Sequence, residues 1–276
     1  MKDATAEEIT RASKSNLALA FVALPPETRR DITVFYAFCR AVDDIADEPG
    51  RTAVERRTSL DHWKSRLTAR QPDEPGLAVE VRQLIAKYGL PAEHLLELIR
   101  GCEMDVDRVA YETWEDLRVY CHRVASVVGL VSIEIFGCRD PQARVYAEQL
   151  GLALQLTNIV RDVGQDFRDD RRIYLPRADL AAHGYSAEDL AQERHNDAFT
   201  SVMQFEARRA RSFYARALAE RPESERRTLV AAETMRLIYS RLLDKMERDS
   251  FRVFDRRYRL NRWEKAWCVA RGRFGW

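Results

Sequence analysis

The 276-residue sequence lacks several features that would identify common classes of protein. Its five cysteines lie far apart and form no Cys-x-x-Cys pair, which indicates reduced thiols in a cytosolic protein. No run of 18 apolar residues occurs, so no transmembrane helix is expected. The N-terminus has no apolar signal-peptide core, and a net charge of +1 gives no sign of nucleic-acid binding.

The distribution of proline and of apolar residues predicts helices. Nine prolines separate long runs in which apolar residues recur every three or four positions, and no alternating strand pattern is present. We therefore predict an all-α chain forming one domain over residues 1–276. Helices are expected at 5–24 and 114–137, with two long helices between 196 and 248. A charged loop is expected at 167–172, either a lid over a site or a plain solvated loop.

One apolar stretch carries a line of polar side chains. Gln155, Asn158, Asp162 and Asp166 are spaced three, four and four residues apart, which places them on one face of an α-helix. The residues between them are mostly apolar. Because buried carboxylates without partners are unstable, this face requires a positively charged partner.

A second stretch, residues 34–48, has the same design. It begins as an apolar helix and ends in acidic residues. Asp43 and Asp47 are one helical turn apart, and Tyr36 and Arg40 precede them on the same line. The chain therefore has two carboxylate pairs on two apolar helices.

These two acidic stretches predict a magnesium site. Mg²⁺ is usually held by a few carboxylates together with oxygens of a substrate phosphate. One such motif alone is typical of a solvated acidic patch near a helix end. Here each motif has an arginine shortly before its first aspartate, Arg40 before Asp43 and Arg161 before Asp162, and the repetition favours metal binding.

The same stretches resemble the squalene/phytoene synthase family, the head-to-head prenyl diphosphate synthases. The matching segments are residues 36–47, 120–129, 155–166 and 172–176, and the resemblance extends over roughly 13–263. It implies a single-domain, all-α helical bundle of the isoprenoid-synthase type with a central cavity. It also implies Mg²⁺-dependent joining of two prenyl diphosphates.

The resemblance assigns roles to individual residues. The catalytic residues are Tyr36, Tyr120, Asp43 and Asp162. The metal ligands are Asp43, Asp44, Asp47, Asn158, Asp162 and Asp166. The diphosphate contacts are Lys14, Ser15, Asn16, Arg40, Gln155, Arg161, Tyr239 and Arg256. Gln165 stands where the family usually has Glu, which removes one carboxylate from the second acidic stretch.

Other helical proteins fit the sequence less well. A head-to-tail prenyl synthase also uses the pattern of residues 43–47, but its Gly-Gly-Lys-Arg phosphate site is missing. A terpene cyclase would have an Asn/Ser/Glu triad where residues 158–162 stand, and a di-iron bundle needs Glu-x-x-His pairs. A non-catalytic helical interaction protein remains the alternative of a different class.

The prenyl chain length is left open by the sequence. Residues 123–126 resemble the bacterial presqualene diphosphate or hopanoid branch, which implies that two farnesyl diphosphates give presqualene diphosphate or a squalene-type C30 product. The alternative is a phytoene synthase that joins two geranylgeranyl diphosphates. The use of NADPH is undecided, and downstream isoprenoid-pathway enzymes are possible partners.

The C-terminal segment Ser250–Trp276 combines basic and aromatic residues. It contains eight Lys or Arg and two acidic residues, a net charge of +6, with Trp and Phe interspersed. This composition predicts a cytoplasmic protein that lies peripherally at the inner face of an anionic membrane. The alternative is that Trp263 and Trp267, one turn apart, pack the last helix onto the body.

Overall fold

The computed structural model describes residues 6–12, 16–72 and 74–274. This part of the chain contains helices and no strand, which confirms the all-α prediction. The helices are α1 (Ala6–Ala12), α2 (Asn16–Phe21), α3 (Pro26–Asp47), α4 (Ala53–Thr68), α5 (Gly76–Tyr88), α6 (Ala92–Val106), α7 (Trp114–Cys121), α8 (Val127–Phe136), α9 (Gln142–Asp170), α10 (Arg177–Ala182), α11 (Ala187–Ala191), α12 (Asp197–Ala219), α13 (Val230–Arg248) and α14 (Arg262–Phe274).

Local sequence signals account for several helix ends. Pro26 occupies the first turn of α3, where a missing N–H costs nothing. Thr52 opens α4 with a capping box, because its hydroxyl accepts the N–H of Glu55 while the Glu55 carboxylate accepts the N–H of Thr52. Gly89 ends α5 at φ +61°, a left-handed conformation that favours glycine.

Two predicted helices need correction. The predicted helix at 5–24 contains α1 and α2, and α2 ends at Phe21 because residues 22–24 form a turn before Pro25. The predicted helix at 114–137 contains a π-helical turn at His122–Ser126 between α7 and α8. Two long helices between 196 and 248 are confirmed as α12 and α13.

The predicted charged loop at 167–172 is also mostly helical. α9 continues to Asp170, and the amide of Gln165 donates to the Asp169 carboxylate one turn later at 2.8 Å. Such i,i+4 pairs stabilise exposed helix. Arg171 then ends α9 in the left-handed conformation, so only the residues after Asp170 form a loop.

α9 occupies the centre of the bundle and packs against α8, α12 and α13. Two glycines permit close approach to the neighbouring helix. A Cβ at Gly151 would lie 2.5 Å from Cα of Ser126, and one at Gly129 would lie 2.9 Å from the carbonyl oxygen of Ala147. α8 also packs against α3, so it lies between the two helices that carry the acidic stretches.

One continuous stretch, Trp114–Phe136, is long and apolar enough to span a bilayer by length and composition. Core helices of soluble proteins meet the same criterion. Here Leu117, Tyr120 and Val131 are buried in the main hydrophobic core, so these contacts explain the apolar composition without a membrane.

The last helix, α14, packs on α13 through small residues. Cys268 is fully buried, and a Cβ on Gly272 would meet the Thr234 hydroxyl at 2.5 Å. Trp263 is 71% exposed and Trp267 is 44% exposed, with the Arg241 guanidinium 3.8 Å from the Trp267 ring. The alternative in which both tryptophans pack α14 onto the body is therefore wrong for Trp263 and only partly met by Trp267.

Candidate active site

A largely apolar cavity of about 170 Å³ lies between α8, α9 and α13. Three of its polar lining residues, Gln155, Asn158 and Tyr239, lie close together. They are close in space because Tyr239 hydrogen-bonds Arg161, one turn beyond Asn158 on α9. The cavity therefore has an apolar body and a polar mouth that faces the acidic stretch of α9.

The acidic stretch of α9 is held by arginine. Arg161 Nε donates to Asp162 Oδ1 at 2.9 Å, and both side chains are largely buried, at 13% and 15% exposure. Arg257 Nε lies 3.5 Å from the same Asp162 oxygen. Arg161 and Arg257 are therefore the positively charged partners that the sequence pattern required.

The acidic end of α3 is held differently. Arg40 donates to Asp43 at 2.6 Å and also to Asp44. Asp47 accepts from Arg172, which follows α9, at 2.8 Å. The Arg172–Asp47 pair therefore connects the end of α9 with the end of α3.

A third carboxylate, Asp105 at the end of α6, lies between the two acidic stretches. Tyr174 Oη donates to Asp105 at 2.6 Å and Tyr120 Oη donates at 3.0 Å. The Tyr120 and Tyr174 rings stack with centroids 5.1 Å apart. The predicted catalytic Tyr120 is thus fixed by an acid that sequence reasoning did not assign to the site.

Electrostatics show that these carboxylates share one region. Burial raises the pKa of Asp166 to about 8, and the charges of Asp162 and Asp105 reinforce the shift. Asp43 is 46% exposed, yet the protein around its remaining sides raises its pKa to about 7, with Asp47 and Asp105 adding to the shift. Burial also raises the pKa of Asp105, to about 6. A bound cation would relieve this repulsion.

The donor set fits a hard divalent cation that is completed by a substrate. Asn158 Oδ1 is buried and accepts no hydrogen bond from the described residues, so it is an open oxygen ligand one turn from Asp162. No three described His, Cys, Asp or Glu side chains are grouped tightly enough to hold a metal alone. Mg²⁺ sites that share their ion with substrate phosphates have this character.

Several predicted residues lie elsewhere or cannot be placed. Lys14, Ser15 and the side chain of Asn16 lie outside what the structure describes. Arg256 is 56% exposed and pairs with Asp249, whereas its neighbour Arg257 reaches Asp162.

The remaining predicted positions lie near the cavity. Tyr36 is buried, and its ring centroid lies 6.1 Å from that of Phe21, which lines the cavity. Gln155 accepts a long hydrogen bond, 3.5 Å, from Asn158. Gln165 is the departure from the family pattern. Its side-chain amide donates hydrogen bonds to the Asp169 carboxylate and not to Asp162 or Asp166.

Sequence reasoning missed Asp105, Arg172, Tyr174 and Arg257 as parts of the site. A signal existed for Asp105, because it continues the apolar face of α6 seven residues after Leu98, where an acid is out of place. Arg172 and Tyr174 were matched only as part of a family segment. Arg257 had no local signal.

Comparison with known proteins decides the family. The squalene/phytoene synthase family model matches residues 10–264. The phytoene synthase of Arthrospira platensis is 33% identical over 280 residues, covering 95% of this chain and 89% of the relative. The chain belongs to the squalene/phytoene synthase family. The family is one of prenyltransferases, so the resemblance seen in the sequence is confirmed.

Other members of the squalene/phytoene synthase family agree with this assignment. The phytoene synthase of Mycobacterium tuberculosis is 33% identical and covers 96% of this chain and 88% of its own. The squalene synthase HpnC of Alicyclobacillus acidocaldarius is 29% identical, with a TM-score of 0.78 over 89% of this chain and 93% of its own. A dehydrosqualene synthase structure gives a TM-score of 0.84 at 23% identity, over 97% and 93% of the two chains, and supports the fold.

Proposed function

We propose that the protein catalyses a Mg²⁺-dependent head-to-head (1–1′) condensation of two prenyl diphosphates with release of diphosphate. The observation that carries this proposal is the convergence of the acidic ends of α3 and α9 on Asp105, beside the polar mouth of an apolar cavity. Such a site combines carboxylates that can bind a metal ion and arginines that can bind a diphosphate with space for a hydrocarbon chain.

The arginines and acids divide the binding of the diphosphate between them. Arg40 and Arg161 form ion pairs with aspartates. Their guanidinium forks match phosphate oxygens, so we infer that they turn to the diphosphate when it binds. The aspartates released in this way, with Asn158, are the oxygen ligands available to Mg²⁺. When bound, Mg²⁺ neutralises the diphosphate and assists its departure. The proposed ligands are Asp43, Asp44, Asp47, Asn158, Asp162 and Asp166.

The cavity protects the reacting chain. Breaking the C1–O bond leaves an allylic cation, and water must be excluded so that it is not trapped. The apolar walls of α8, α9 and α13 provide this exclusion. Tyr36, whose ring lies beside Phe21 of the cavity lining, offers an aromatic face worth about 0.5–2 kcal/mol to a cation. The proposed contribution of Tyr120 is its hydroxyl, because its ring stacks on Tyr174. Attack by the second chain's double bond and loss of a proton give the cyclopropyl diphosphate that the family resemblance implies.

The relatives differ in the prenyl chain length that they support. The sequence favours two farnesyl diphosphates and a C30 product, presqualene diphosphate or squalene-type. The curated relatives quoted above are named phytoene synthases, which supports geranylgeranyl diphosphate and a C40 product at least as well. The squalene synthase HpnC at 29% identity supports the shorter chain.

One assay tests the function and separates the substrates. The purified protein is incubated with Mg²⁺ and either farnesyl or geranylgeranyl diphosphate, each with and without NADPH, and the extracted products are analysed by mass spectrometry. We expect a 1–1′-linked product from one of the two substrates. Consumption of geranylgeranyl diphosphate alone selects the phytoene reaction. No condensation product from either substrate would contradict the proposal and favour a non-catalytic interaction protein.

We further propose that α14 lies against an anionic membrane surface on the cytoplasmic side. Its outward face presents Trp263 and Trp267 between Arg262 and Arg271, all exposed. Arginines that flank tryptophans suit the interface of an anionic bilayer. α14 packs on α13, which lines the apolar cavity, so a hydrocarbon product would be released close to lipid.

Vesicle co-sedimentation tests the membrane proposal. The double variant Trp263→Ala/Trp267→Ala is compared with the wild-type protein and with Val54→Ala, which removes an exposed side chain on α4. We expect the tryptophan variant to lose at least about tenfold in affinity for anionic vesicles, since each aromatic ring buries apolar area in the interface. High salt should release the wild-type protein. Equal sedimentation of all three proteins would exclude α14 as the contact.

A further inference from the structure

A second, larger cavity lies beside the acidic site, which is the region where the acidic ends of α3 and α9 meet Asp105. It has a volume of about 700 Å³, within the range of small-molecule sites. Asp105, Arg172 and Tyr174 form the shared wall. The remaining lining comes from the segment after α6, the start of α10 and the turn before α11. The condensation mechanism makes no use of this space.

The lining of the second cavity is strongly basic. Four arginines line it, Arg108, Arg171, Arg172 and Arg177, and Asp105 is the one acid among the lining residues. The formal charge of the lining is therefore +3. A concave surface of one sign concentrates the field and attracts counter-ions of the opposite sign.

The rim arginines have most of their donors available. Arg108 approaches Asp170 only to 3.9 Å and Arg177 approaches Glu112 only to 4.0 Å, and their side chains are 63% and 67% exposed. Arg171 stacks over the Phe167 ring at 4.8 Å, which leaves its N–H edge open. A planar guanidinium with open donors is suited to bidentate contacts with phosphate oxygens.

Arg172 contributes a donor from the shared wall. Its side chain is 13% exposed and pairs with Asp47 at 2.8 Å and with Asp170 at 3.3 Å. Its Nε is buried and has no acceptor among the described residues. A buried donor without an acceptor is uncommon in native proteins and indicates a missing partner on that side.

We infer that this cavity binds the diphosphate group of a ligand other than the prenyl substrate held in the acidic site. The choice of ligand rests on the proposed function. Two sources share this chemistry: inorganic diphosphate released by the condensation, and the diphosphate bridge of a nicotinamide dinucleotide.

Binding without prenyl substrate tests the inference. Full-length protein in EDTA is titrated by calorimetry with inorganic diphosphate and, separately, with NADPH. The double variant Arg108→Gln/Arg177→Gln is compared with Arg139→Gln/Arg208→Gln, which removes the same charge from exposed positions outside both cavities. Neither pair belongs to the catalytic site. The condensation assay reports on the proposed function independently.

We expect the rim variant to weaken binding at least about tenfold, the size of one lost charged hydrogen bond, and the control to bind within twofold of wild type. Tighter binding of NADPH than of diphosphate assigns the dinucleotide, and the reverse or equality assigns the released product. Absence of binding by both probes overturns the inference. Binding that is unchanged in the rim variant, or weakened equally in the control, also overturns it.

Discussion

The acidic ends of α3 and α9 share a sequence pattern but differ in burial. Arg40 and Asp43 on α3 are 36% and 46% exposed, whereas Arg161 and Asp162 on α9 are 13% and 15% exposed. Exposed pairs contribute at most about 1 kcal/mol and exchange partners readily. Breaking a buried pair costs about 3–5 kcal/mol because one charge is left without compensation. The α3 end is thus available to a ligand, while the α9 end also holds the fold.

Because of this difference in burial, the acidic ends of α3 and α9 have different roles. Asp162 can release Arg161 to a diphosphate only if another charge replaces the guanidinium, and Arg257 already stands 3.5 Å from its oxygen. Mg²⁺ would serve the same purpose. Asp43 needs no such replacement, since solvent reaches it. Turnover, stability and the pH dependence of stability each test this difference between the two helices.

Turnover should show the largest effect and should not distinguish the two helices. We expect Asp43→Ala and Asp162→Ala each to lower turnover at least about 1,000-fold, because a metal ligand supports several kcal/mol of charge stabilisation. Steady-state assays with the preferred prenyl diphosphate and saturating Mg²⁺ measure this. Asp61→Ala, an exposed acid on α4, is the control. An unchanged rate in either site variant would remove that helix from the site.

Stability should separate the two ends. Asp162→Ala leaves a largely buried Arg161 without its main partner, so we expect unfolding to become easier by about 3 kcal/mol. Asp43→Ala removes an acid that its neighbours repel, so the metal-free protein should be unchanged or more stable. Urea denaturation in EDTA measures both.

A double variant checks the cause of the stability loss. Arg161→Leu/Asp162→Leu removes both charges together, and we expect it to recover much of the stability lost in Asp162→Ala, since replacing a whole buried pair is often neutral. A double variant that is no more stable than Asp162→Ala would show that the ion pair is not the reason. Equal stability of Asp43→Ala and Asp162→Ala would remove the contrast between the helices.

Periodicity and spacing predicted most of the fold and the two acidic helices. The four polar residues of α9 share a face because helical geometry is local, so Gln155 through Asp166 were found without tertiary information. The all-α class followed from the same regularity. Helix ends were predicted less well. The charged composition of residues 167–172 indicated a loop, but the hydrogen bond between Gln165 and Asp169 stabilises a longer α9.

Contacts between distant segments could not be predicted. Asp105 meets Tyr174 across 69 residues, and Arg172 meets Asp47 across 125 residues. No spacing rule links residues so far apart. The family resemblance assigned a diphosphate contact to Arg256, and no sequence pattern indicated that its neighbour Arg257 lies beside Asp162. The exposed Trp263 shows the converse, a residue type that is usually buried and lies outside here.

The pH dependence of stability should show the smallest of the three effects, and it compares Asp166 on α9 with Asp43 on α3. Asp166 and Asp43 have pKa values of about 8 and about 7 in the folded protein, against an ordinary value of 3.8. The folded state therefore holds protons that the unfolded chain releases between these limits. By linkage, the contribution of these two carboxyl groups to the stability of the metal-free protein is fully present below about pH 4 and is lost as the pH rises to about 8.

Asp166→Asn removes the larger of the two titrations. Thermal unfolding in EDTA at pH 5.5 and pH 8 should show that this variant gains on wild type by about 1 kcal/mol or more at the higher pH, a difference of about 2–4 °C. Asp43→Asn should gain less, because solvent reaches its carboxylate. Asp61→Asn should follow wild type at both pH values. If the stabilities of Asp166→Asn and wild type fall in parallel, burial and the neighbouring charges do not raise the pKa of Asp166, and the expectation that a cation binds beside it fails.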